Sequence, residues 1–138
     1  MSMAFAAPLQ TALYATLTGA PELASVAGRI FDDAPHGSTD VSEPYVTIGD
    51  EDVSPWNTAT EVGAIHEVEI RIYSPVRGFL SVKEIAGSVC EVLCGTAPLL
   101  TRGRIVTHEF TGAETKREEQ GALRRISLTF RFVIEDTQ

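Results

Sequence analysis

Two His-Glu pairs, His66-Glu67 and His108-Glu109, come nearer to a reactive or metal-binding centre than anything else in the chain. If the segments that carry them were neighbours in a sheet, the imidazoles would approach one another, and Asp32 or His36 would complete a zinc site. That would make a small metal-dependent enzyme built on His66 and His108. Both pairs, however, lie in strand-like stretches, where adjacent side chains point to opposite faces. The His and Glu of one pair therefore cannot hold the same ion, and ordinary strand decoration explains them better. Cys90 and Cys94 are four apart in a helical pattern. Two sulfurs on one helix lack the further ligands that a metal site needs, so they read as reduced core thiols. The chain has no G-x-S-x-G elbow, no Walker-type loop and no G-x-G-x-x-G loop. Ser88, after Gly87, sits inside a helix pattern as a small packing residue. Catalysis needs a nucleophile, a base and a charge stabiliser that converge. The sequence offers no such set, so neither an enzyme nor a bound cofactor is expected.

The remaining polar signals concern partners. The basic clusters are Arg102-Gly103-Arg104, Lys116-Arg117 and Arg124-Arg125. Glu118 and Glu119 follow Arg117, so that run reads as a balanced, solvated turn rather than a phosphate site. Trp56, the single tryptophan, lies between Pro55 and Asn57. It suits a buried cap over a sheet edge and an interface anchor equally well. A net charge of −8 opposes a nucleic-acid-binding surface and an anionic membrane alike.

The elements that must position these residues follow from periodicity. Leu9, Leu13 and Leu17 form a helical stripe from Pro8 to Thr18, stopped by Gly19 and Pro21. Arg29 to Asp32 is a short strand, and Asp32 to Glu43 is an exposed loop. Tyr45 to Asp52 is a second strand entered at Pro44, and Ser54 to Thr60 is irregular. Val68, Ile70 and Ile72 alternate with Glu67, Glu69, Arg71 and Tyr73 in a third strand, ended by Ser74-Pro75. Val82, Ile85, Ala86, Val89 and Leu93 mark a second helix over Phe79 to Cys94, which starts either at a capping box of Ser81 and Glu84 or a turn earlier at Gly78. Gly95 and Pro98 end it. Arg104 to Thr111 is a fourth strand, and Thr111 to Gly121 reads as the mobile tip of a long hairpin. In the last strand Leu128, Phe130, Phe132 and Ile134 face one way.

This order predicts an α+β domain, an α/β sandwich. A mixed, mainly antiparallel sheet of four to five strands carries two helices on one face. At 138 residues the chain is expected to be one domain, residues 1–138, able to fold without metals or disulfides. Hydrophobic content of 43% with 22% charge is that of an ordinary globular protein. The start lacks a basic n-region and no apolar run has the length of a membrane span, so synthesis in the cytoplasm as a soluble chain is expected.

The stripe Leu9, Leu13, Leu17, then Arg29-Ile30-Phe31-Asp32, then Pro44-Tyr45-Val46-Thr47-Ile48-Gly49-Asp50 resembles the minor tail proteins that terminate the tails of long-tailed phages. Glu67 to Tyr73, the Gly78 to Leu93 helix and the Ile126 to Ile134 strand continue the similarity over nearly the whole chain. Related proteins occur in prophages and in phage-like gene transfer agents. The resemblance implies a homohexameric ring that caps the tail tube at its head-proximal end. It implies contacts with the major tail tube protein and a head-side connector or stopper, with DNA passing through the lumen without specific binding. Six copies at −8 each would carry about −48, a field that repels phosphates and lets a duplex slide. Trp56, Asn57, Glu114, Lys116, Arg117, Glu118 and Glu119 are the expected partner-facing residues, and removal of Glu114 to Gln120 is expected to spare folding. The other readings are a different neck component, such as a head-completion protein, and a small adaptor with no phage connection.

Overall fold

Leu9, Leu13 and Leu17 bury one stripe of the first helix, α1 (Ala6–Gly19), against the sheet. The computed structural model describes residues 3–32, 43–58, 62–75, 78–118 and 123–136. Pro8 falls in the first turn of α1, where a missing N–H removes no helical bond. A 3-10 segment, Pro21–Arg29, follows and is kinked at Leu23. Its buried residues, Leu23 and Val26, are three apart, which matches the three-residue turn of that helix. Sequence periodicity alone passed over this element because it is short and its pattern is not that of an α-helix.

Five strands make the sheet: β1 (Ile30–Phe31), β2 (Tyr45–Asn57), β3 (Val62–Ser74), β4 (Arg104–Glu118) and β5 (Leu123–Glu135). Their spatial order is β1-β2-β3-β5-β4. Only β1 to β2 is parallel; the other pairs are antiparallel. The second helix, α2 (Leu80–Cys94), packs Val82, Ile85, Ala86, Val89 and Leu93 inward beside α1. Both helices and the 3-10 segment share one core with Ile48, Ile70, Ile72, Leu128, Phe130 and Ile134 of the sheet. This is the α+β arrangement that the pattern predicts. No helix among the described residues is long and apolar enough to cross a membrane.

Three local expectations are corrected. Residues 119–121 lie outside the described residues, and Thr111 to Glu118 is paired strand rather than loose tip, since β4 stays paired with β5 as far as Glu118↔Leu123. Its polar composition reflects an edge strand exposed over nearly its whole length. Of the Glu114 to Gln120 segment, Glu114 to Glu118 is paired strand, and residues 119–120 lie outside the described residues. The Ser54–Thr60 stretch is not irregular at its start, because β2 continues through Pro55 to Asn57. Proline is tolerated there because, among the described residues, β1 pairs only with Val46 and Thr47 and the outer side of β2 has no ladder at Pro55. The Ser81–Glu84 capping box does not form: α2 begins at Leu80, its N-cap is Phe79, and no side chain caps it. Ser81 is thus already helical.

Candidate functional site

The geometry separates the two histidines that the metal reading would bring together. β5 lies between β3 and β4, so the two histidine-bearing strands are not neighbours. His66 and His108 stand on either side of Phe132, in register with it. Two strand spacings separate them by about 10 Å. A one-residue bulge between Ile48 and Glu51 turns Glu51 toward the helix face. There His66, fully buried, donates Nδ1–H to Glu51 Oε2 at 2.6 Å. Its Nε2 has no hydrogen-bond partner among the described residues, and Phe5 lies edge-on to the ring at 6.4 Å. His108 donates Nδ1–H to the Leu93 carbonyl at 3.0 Å and stacks on Phe132. That bond ties the end of α2 to β4. Asp32 accepts a bond from Gln10 and stands apart from both histidines, whereas His36 lies outside the described residues. The described residues hold no cluster of three or more metal-binding side chains. Cys90 is half-buried, and burial pushes its thiol up, helped by Cys94. Cys94 itself is exposed rather than part of the core.

The expected partner residues divide between two ends of the sheet. At one end Trp56 opposes Gly63, Gly63 opposes Glu135 and Glu135 opposes Arg104. Trp56 is half-buried and Asn57 is exposed. Arg104 Nε donates to Glu135 Oε1 at 2.7 Å, and Arg102 pairs with Asp136 at 3.0 Å. At the other end the row runs Tyr45, Tyr73, Arg125, Lys116. Ten strand residues separate these rows on β3, about 33 Å. Trp56 and Asn57 are therefore far from Glu114, Lys116 and Arg117. The backbone of Glu118 closes β4, and Glu119 lies outside the described residues.

At this second end the register brings two basic doublets face to face. Lys116 opposes Arg125, and Arg117 opposes Arg124. Like charges directly across a ladder destabilise a sheet. Neighbouring groups offset that repulsion. Glu114 lies 3.8 Å from both Lys116 and Arg125, and Arg125 donates to Ser127 Oγ at 2.6 Å. Arg117, exposed, spreads its guanidinium over the Phe79 ring at 5.6 Å. Reading Lys116-Arg117 against Glu118-Glu119 along the chain hid this arrangement. The signal was available in the symmetry of the hairpin, since 116 with 125 and 117 with 124 are equidistant from its turn.

The charge is also divided across the sheet. Residues 1–63 hold nine carboxylates and one base, Arg29, whereas residues 64–138 hold ten of each. The whole net charge of −8 thus belongs to the half that builds α1, β1 and β2. Such a surface can recognise an oppositely charged protein face.

Comparison with known proteins agrees with that chemistry. The family described as Tail completion protein gp17 matches residues 11–135. A solved chain from a structure described as "Virion of native gene transfer agent (GTA) particle" superposes with a TM-score of 0.87 at 36% identity. The match covers 97% of this chain and 99% of that one. No curated protein matches.

Proposed function

Because this chain belongs to the tail completion protein gp17 family, we propose that it closes the head-proximal end of a tail tube as a homohexameric ring. It is a structural protein of the virion tail, not an enzyme. The reading is carried by the family match over residues 11–135. The shape of the subunit supports it. A cyclic ring needs two different patches that meet around an axis. This sheet has two unlike sides, an acidic one at β1 and β2 and a long exposed one at β4. Its two ends also differ, with the Trp56–Asn57 end and the Lys116–Arg117 end about 33 Å apart. One end faces the major tail tube protein and the other faces the head-side connector or stopper. DNA traverses the lumen during delivery without specific binding, as an overall negative subunit favours.

Electron microscopy of the purified protein, alone and mixed with tail tubes, tests this. The expected result is a closed ring that seats on one end of each tube. A ring that binds heads and ignores tubes would make the protein another neck component. A monomer that binds neither would end the reading.

A further inference from the structure

A surface helix ordinarily turns charged side chains to water. α1 has none over its 14 residues, in a chain of which 22% is charged. Its outer stripe, Ala7, Thr11, Tyr14 and Thr18, is uncharged, and Tyr14 is 45% exposed. A charge-free face with a large aromatic has the composition of an interface core. A second uncharged surface lies at the far edge of the same layer. Phe110, Ala113 and Thr115 of β4 oppose Phe130, Leu128 and Ile126, all buried in the core. Directly opposed side chains share a face of the sheet. Yet Phe110 is 41% exposed, and Ala113 and Thr115 are exposed as well. The core face of the sheet thus runs on past its cover. α2 borders this strip, tied to β4 where His108 bonds the Leu93 carbonyl and Arg117 lies over Phe79. A Cβ at Gly87, eight residues on from Phe79, would meet nothing within 4 Å among the described residues. We propose that the exposed side of α1 in one copy lies on the β4–α2 strip of the next, as a third helix on that sheet. The proposal rests on the ring reading and names the surfaces that meet within it.

The two surfaces are placed as a head-to-tail contact requires. Thr16 and Gly19 of α1 face Val92 and Gly95 of α2 across a cleft. On the other flank Gln10 bonds Asp32, just beyond β1, and Tyr14 follows Gln10 by four residues. Tyr14 therefore lies on the β1 side of the helix, away from α2. β1 and β4 are the two edges of the sheet, so one rotation brings the α1 edge of one copy to the β4 edge of the next within the same layer. The levels agree too. Phe31 pairs with Thr47, and that row continues through Arg71 and Ser127 to Glu114. Tyr14, beside Asp32, is thus level with the Ala113–Thr115 part of β4. With the strand ends turned to tube and head, rotation about the ring axis preserves that level. The lengths also match, since α1 and α2 span about 21 and 22 Å. Neither stripe has a charge to desolvate, and α1 offers no cation to the phosphates of DNA.

Thiol cross-linking tests the pairing. In a Cys90→Ala/Cys94→Ser background, Tyr14→Cys/Ala113→Cys puts one thiol on each surface. A short bifunctional thiol reagent should then give a ladder of covalent oligomers, whereas either single substitution should give monomers. Cross-linking of Tyr14→Cys to itself would mean that α1 meets α1. A doubly substituted protein that forms rings by electron microscopy yet stays uncross-linked would mean that other surfaces meet. Either result overturns the pairing and leaves the ring. Tyr14→Glu gives a second readout. Tyr14 is exposed in the single subunit, so the thermal midpoint should hold. Self-assembly, measured by mass photometry, should weaken about a hundredfold, because a carboxylate must then be buried among uncharged groups. Assembly of Tyr14→Glu like the wild type overturns the pairing. So does a Tyr14→Glu variant that forms rings but no longer seats on tail tubes, since the face would then belong to the tube. A wild type that neither assembles alone nor seats on tubes overturns the ring reading, and the pairing with it.

Discussion

Trp56 of β2 lies across the ladder from Gly63 of β3, and the indole occupies the space that a side chain at position 63 would need. A Cβ there would come within 2.9 Å of Trp56 Cε3 and 2.1 Å of the Ile134 carbonyl oxygen. Gly63 is therefore fixed by close approach from a ring and a backbone at once. Gly63→Ala should lower stability by about 1–3 kcal/mol through overpacking. Urea unfolding followed by tryptophan fluorescence measures it, and an unchanged midpoint would refute the contact.

Glu51 is the one acceptor for the buried His66 Nδ1–H among the described residues. Glu51→Ala strands a buried donor and should cost about 1–3 kcal/mol. Glu51→Gln keeps an acceptor and should cost less. Equal losses for the two variants, by chemical denaturation, would show that the hydrogen bond contributes nothing.

The thiols should react unequally. Cys94 is exposed, whereas burial, with Cys94 nearby, raises the Cys90 pKa. The thiolate is the reactive form, so an alkylating agent near pH 8 should modify Cys94 first, as peptide mass mapping would reveal. The same shift has a sign for stability. A raised folded pKa favours the protonated thiol, so its contribution is complete below the unfolded pKa and is lost as pH rises through the folded one. Cys90→Ala should accordingly flatten the fall in stability on the alkaline side.

Leu13 is buried at 1% exposure in the middle of the α1 stripe. Leu13→Ala should cost about 2–5 kcal/mol, the range for a leucine removed from a packed core. A loss below 1 kcal/mol, on the order of a surface substitution, would mean that α1 does not seal the sheet.

The helices and inward strand faces were legible because their signals are local. Leu9, Leu13 and Leu17 recur at helical spacing, and Val68, Ile70 and Ile72 recur at strand spacing, before any contact forms. The extent of β2 and β4 was not legible. Pro55 and the charged run after Thr111 read as breaks because both lie on sheet edges, where few side chains are buried and proline is allowed. The 3-10 segment was hidden for a related reason, since its two buried residues are too few to set a period.

The chain order of its apolar residues determined by itself that this protein would back a sheet with helices, and its residue types gave no converging reactive set. Strand order was a different matter. Only the folded sheet decided that β5 would separate His66 from His108, and that Lys116 and Arg117 would face Arg125 and Arg124. Pairing is a property of two segments and their register, and it depends on which faces the shared core buries. No single segment carries that information.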